Sequence, residues 1–149
     1  MDRKYFTKSE DFQITTHFKM SEMTFKDGDK YVMPDDASLL NICRLCRQHL
    51  EPLRSVFGPI NINSGYRDKD KNLLVGGVAN SYHLYGCACD IPVPSVYWGI
   101  RYASFLLVNN DSVLDNFRIA ELIFHKNQNY IHLAMRRNDK DIKFYVNIV

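Results

Sequence analysis

The sequence predicts an α+β fold, a small antiparallel sheet with helices packed on it. Three observations carry that expectation. A helix-spaced apolar stripe follows an acidic cap at 35–36, two short alternating segments flank a four-residue connector at 126–129, and helices and strands keep largely to separate stretches of chain.

The first thirty or so residues mix charge, glycine and scattered aromatics, and read as an arm of short elements with a small helix around Ser21-Glu22-Met23. After Pro34-Asp35-Asp36, the spacing of Leu39, Leu40, Cys43, Cys46, Leu50 and Leu53 predicts a helix with one buried face. Pro52 should kink or reset it, and Gly58 is placed to stop it. Ile60-Asn61-Ile62-Asn63-Ser64 alternates as a half-buried strand does and ends in the turn-prone Ser64-Gly65. From Arg67 through Gly76-Gly77 to Asn80 the chain reads as a long loop with at most a short helix, and long loops in compact domains usually serve function. Cys87 to Ile91 is extended, and Ser95 to Val108 is helical.

Near the C-terminus, residues 120–125 and 130–135 form a predicted hairpin, and 142–149 is placed to add a last strand. Between them, Arg136-Arg137-Asn138-Asp139-Lys140-Asp141-Lys143 has mixed charge and reads as a solvated turn.

Composition bounds the answer. With 149 residues, 46% hydrophobic and 24% charged, the chain suits one ordinary domain spanning 1–149, with 1–33 as its N-terminal arm. A domain of this size buries roughly 68–70% of the surface of its unfolded chain, so it needs no disulfide for stability. A net charge of +2 gives no footprint for nucleic acid or an anionic membrane. No apolar run reaches the ~18 residues of a membrane span, and the polar start Met1 to Phe6 lacks the features of a secretory signal. A cytoplasmic site of synthesis is therefore expected, with Cys43, Cys46, Cys87 and Cys89 as reduced thiols.

The residues that carry chemistry are His83, Asp90 and His132, with His125 and Glu121 nearby in the hairpin. Two imidazoles and a carboxylate suit Zn2+, whose catalytic sites take three protein ligands and leave a fourth position to water. Gly86 permits a tight turn between the first two. On the second hairpin strand Tyr130, His132 and Ala134 share a face, opposite the core-facing Ile131, Leu133 and Met135. The connector length pairs His125 with Tyr130 and Ile123 with His132, which puts His125 and Glu121 on the His132 face.

A four-thiolate site built from Cys43, Cys46, Cys87 and Cys89 is the weaker metal reading. Cys43 and Cys46 lie on an apolar helical stripe, where free cysteine acts as a small hydrophobe. His17 and His49 have no partner in the pattern and suit surface or helix-end roles.

Ser81-Tyr82-His83-Leu84-Tyr85-Gly86-Cys87-Ala88-Cys89-Asp90 matches the Ser-x-His-x-x-Gly-x-Ala-x-Asp motif of the zinc D-alanyl-D-alanine peptidases, which share a fold with the hedgehog signalling domain. Ile62 to Arg67 resembles that family's strand ending in Ser-Gly-Tyr-Arg. Val75 to Ser81 resembles the loop before its first ligand, and Tyr130-Ile131-His132-Leu133 resembles its Trp-Val-His-Val strand. With Leu50-Glu51-Pro52-Leu53-Arg54, the similarity covers about residues 35–135, and small phage-type cell-wall peptidases of the endolysin kind are the nearest in pattern.

The resemblance implies a hedgehog/DD-peptidase-like fold and zinc ligands His83, Asp90 and His132. It implies that Arg67 and Ser81 contact a peptidoglycan peptide, and a phage-encoded protein that acts on a host cell wall. Where many relatives carry an acid three residues before the last histidine, this chain has Asn129. Where others carry Leu-Ile-Trp-Glu, it has Leu122-Ile123-Phe124-His125. The general base is then His125 or Glu121, or His125 closes the coordination sphere as a fourth ligand and the site is structural. Two function classes follow: a zinc metallopeptidase of carboxypeptidase or endopeptidase type, and a non-catalytic zinc-binding or structural protein on the same fold.

Overall fold

A computed structural model describes residues 2–149. The N-terminal third contributes β1 (Lys4–Phe6), β2 (Gln13–Thr15), β3 (Phe18–Lys19), β4 (Lys26–Asp27) and β5 (Lys30–Met33). These strands form two small antiparallel sheets, β1-β5-β4 and β2-β3. The expected helix near Ser21 is a short 3-10 turn, Met20–Met23. This region is more than an arm, because Phe6, Phe18, Met20, Met23 and Val32 are buried in the shared core.

Helix α1 (Asp36–Leu45) starts where the Asp35 carboxylate caps it by accepting the Ser38 N–H at 2.8 Å. A π turn, Cys46–Leu50, separates it from α2 (Glu51–Phe57). Pro52 has no N–H and would clash with a regular preceding turn, so the wider turn is where the helix resets before the proline. Gly58, with φ of 81°, ends α2. The π turn also corrects the expectation for His49. It is fully buried, with Nε2 2.6 Å from the Phe117 carbonyl, whereas His17 remains exposed beside Glu51.

The rest of the chain builds α3 (Lys69–Leu74), β6 (Ala88–Pro92), α4 (Val96–Asn110), β7 (Ile119–His125), β8 (Tyr130–Met135) and β9 (Tyr145–Ile148). Segment 60–64 is not the strand its alternation predicts. It is extended and meets β6 only through a bridge between Ser64 and Asp90, so it satisfies two backbone groups rather than a ladder. The main sheet has the order β6-β8-β7-β9, with β6, β8 and β7 antiparallel and β9 parallel to β7.

The hairpin register pairs Ile123 with His132 and His125 with Tyr130, as the connector length predicts. Leu122, Phe124, Ile131 and Leu133 are buried on one face under α4, leaving the opposite face for polar side chains. The fold is α+β. Among the described residues no helix is long and apolar enough to cross a membrane.

One backbone position controls the approach to that polar face. Gly86 has φ of 71°, in the left-handed region, and a Cβ there would collide with the Ser38 carbonyl of α1. Substitution Gly86→Ala is expected to cost about 1–3 kcal/mol from backbone strain alone, before the collision is relieved. Chemical denaturation measures it, and unchanged stability would contradict this packing.

Candidate metal centre

Three segments meet at Asp90. Its backbone N–H donates to the Ser64 carbonyl at 2.8 Å and its carbonyl accepts from the Asn63 N–H at 2.9 Å, while on its other side β8 pairs it with His132. His83 arrives on the 3-10 turn Tyr82–Tyr85, which Ser81 caps by accepting the His83 N–H at 3.2 Å.

The buried His83 ring has its Nδ1 2.7 Å from the Gly65 carbonyl. A carbonyl only accepts, so Nδ1 carries the hydrogen and Nε2 is the nitrogen turned towards Asp90, 3.5 Å from Oδ1. His132 Nδ1 lies 3.1 Å from the same oxygen.

One ligand atom from each of His83, Asp90 and His132 lies within 4.8 Å of the other two. Two imidazole nitrogens and one carboxylate oxygen form a donor set that suits zinc with an open position. The His83–Gly65 contact is the outer hydrogen bond that fixes a ligating imidazole's tautomer. The residues therefore fit the ion.

Electrostatics bind the group further. Burial raises the Asp90 carboxyl, but hydrogen bonds from His132 and His83 outweigh it and hold the group well below the usual carboxylate range. Burial lowers the His132 imidazole, and the hydrogen bonds to Asp90 and Glu121 more than reverse this, pushing it up to about 9. Glu121, hydrogen-bonded to His132 and to Lys143, is pushed down to about 2.

Glu121 adjoins the cluster, with Oε1 2.9 Å from His132 Nε2 and Oε2 2.6 Å from Lys143 Nζ. His125 does not join the three. Its ring stacks on Tyr130 with centroids 4.3 Å apart and planes 10° from parallel. Burial and the nearby His132 charge hold the His125 imidazole below its ordinary value. Arg67 reaches the cluster's edge, with Nη2 3.7 Å from Asp90 Oδ2 and Nε 3.3 Å from Ser64 Oγ. Asn129, three residues before His132, has φ of 52° in the hairpin connector.

The cysteines do not form a second site. All four are free, and burial pushes the Cys46, Cys87 and Cys89 thiols up, so they pack as neutral side chains.

A cavity of about 500 Å³ opens beside the centre at His132, with Ser81, Glu121 and Ile123 also among its lining residues. Arg137, Asp141 and Lys143 line its other wall, while Asn138, Asp139 and Lys140 are exposed as a solvated turn predicts. The Tyr82 hydroxyl donates to Asp141 Oδ2 at 2.9 Å, and the Arg137 guanidinium lies 4.9 Å from the Tyr82 ring centre. These contacts join residues far apart in sequence, so no local pattern announces them. The nearest signal is Tyr82 itself, inside the histidine motif.

The family model described as Peptidase M15 matches residues 16–134. No curated protein matches the chain. Zinc at a hundred times its dissociation constant is expected to stabilise the protein by about 2.7 kcal/mol. The rise in thermal midpoint should be reversed by EDTA and be lost in His83→Ala and Asp90→Ala. A rise that survives both substitutions would place the ion elsewhere.

Proposed function

The chain belongs to the peptidase M15 family, and from that premise we propose that it hydrolyses a peptide bond in bacterial cell-wall peptidoglycan, as a D-Ala-D-Ala carboxypeptidase or an endolysin-type endopeptidase. In this reading His83, Asp90 and His132 hold zinc, Arg67 and Ser81 bind the substrate, and His125 moves the proton. The convergence of the three donors, with His132 lining an open cavity, carries it.

Zinc, when bound, supplies Lewis-acid activation of a carbonyl and of water at neutral pH. Arg67 donates from Nε to Ser64 and from Nη1 to Asn72, which holds Nη2 beside Asp90 as a donor for a peptide carboxylate or carbonyl. Ser81 uses an oxygen lone pair to cap the turn, so its hydroxyl hydrogen remains to donate into the cavity that it lines. Hydrolysis also needs a group that accepts a proton from attacking water and returns it to the leaving amine. Both Glu121 oxygens are already engaged, whereas His125 stands on the same strand face, two residues beyond Ile123, with its ring held by stacking.

One observation favours the rival reading of a non-catalytic zinc-binding or structural protein. The position of the family's acid is Asn129, which has no proton to exchange near neutral pH. A single assay decides between them. Zinc-loaded protein is expected to cleave peptidoglycan or short peptides ending in D-Ala-D-Ala. His125→Ala is expected to lower kcat by about 10²–10⁴-fold while retaining one zinc per chain. Intact peptides in the presence of fully loaded wild-type protein would overturn the peptidase reading.

A further inference from the structure

His132 is gripped at both ring nitrogens, and the grip on Nε2 comes from outside the zinc motif. Glu121 Oε1 stands 2.9 Å from Nε2, and its other oxygen takes a hydrogen bond from Lys143 Nζ at 2.6 Å. Lys143 lies in the connector between β8 and β9, beyond residue 134, where the family match ends.

That connector is built to deliver the lysine. Asp141 accepts from the Arg137 N–H, the Tyr82 hydroxyl and the Lys143 N–H. Just beyond it, β9 pairs Tyr145 with Glu121 itself.

We propose that Glu121 is a positioning residue of the metal centre. It accepts the Nε2–H of His132 and so fixes that ring with Nδ1 aimed at Asp90, and the C-terminal segment holds Glu121 in this role through Lys143. The inference rests on His83, Asp90 and His132 being the zinc ligands, as proposed above.

An imidazole can present either nitrogen to a metal, and the hydrogen bond made by the other nitrogen settles which. The Gly65 carbonyl does this for His83 through Nδ1, leaving Nε2 to the centre. Glu121 does it for His132 in the opposite sense, through Nε2. A half-exposed lysine pair adds little to fold stability, so the significance of Lys143 lies in orientation. With its second oxygen occupied, Glu121 is restrained from turning away from the ring.

Zinc affinity by chelator competition and the visible spectrum of the Co2+-substituted protein test this, with circular dichroism as the control for folding. Glu121→Ala is expected to weaken zinc by about 10–100-fold and to shift the cobalt bands. Lys143→Met should give a smaller loss in the same direction. Glu121→Gln, whose amide oxygen can still accept from Nε2–H, should recover part of the affinity lost in Glu121→Ala.

Wild-type affinity and spectrum in folded Glu121→Ala and Lys143→Met would overturn the inference. If Glu121→Ala does not fold, Lys143→Met decides it alone. Retention of tight zinc by His83→Ala is a separate outcome, which would remove the ligand assignment beneath it.

Discussion

The candidate metal centre depends on the register of one strand. Asp90 in β6 is paired through its backbone with Asn63 and Ser64 on one side and with His132 on the other, so one residue's position brings three segments into reach. A slip by one residue would turn Asp90 towards the core and Cys89 towards the cavity. Cys89 and Ile91 are fully buried, and an unpaired carboxylate in their place would be strongly disfavoured. The cysteines of the motif thus contribute to the site through apolar packing that fixes register, with their thiols kept neutral by burial.

That register sets up an electrostatic balance in which hydrogen bonding outweighs burial. Desolvation alone would raise Asp90 and lower His132, and both shifts run the other way because each group stabilises the charged form of the other. His132 lies between two carboxylates, Asp90 at Nδ1 and Glu121 at Nε2. The paired charges hold the donors of three side chains together at one place. Lys143 and Arg67 touch the outer carboxylate oxygens of Glu121 and Asp90, so the inner oxygens face the imidazoles.

The centre was legible in the sequence because its determinants are local. The spacing from His83 to Asp90 is a single turn and strand, and alternation in a short hairpin settles which side chains share His132's face. The helix reset at Pro52 was equally readable, although the π turn that achieves it, and with it the burial of His49, was not. Two other regions escaped for physical reasons. Strands of two to four residues between Lys4 and Met33 are too short to show a period, so their contribution to the core looks like scattered aromatics. The 136–143 stretch has the mixed charge of a solvated turn, and only long-range pairing to Glu121 and Tyr82 ties Lys143 and Asp141 to the site.

Asn129 lies in the connector of the same hairpin that positions His132. Residue 129 is in the left-handed region, a conformation that costs most residues roughly 1–2 kcal/mol and that asparagine tolerates better. Its carbonyl also accepts the Val93 N–H at 2.9 Å, tying the connector to the end of β6. The residue at this position serves the turn, and under the proposed peptidase reading proton transfer falls to the strand face. Glu121 is held at both oxygens, by His132 and by Lys143. His125 is held differently: stacking on Tyr130 restrains the ring by its flat face. Burial favours its uncharged form, the form in which an imidazole can accept a proton.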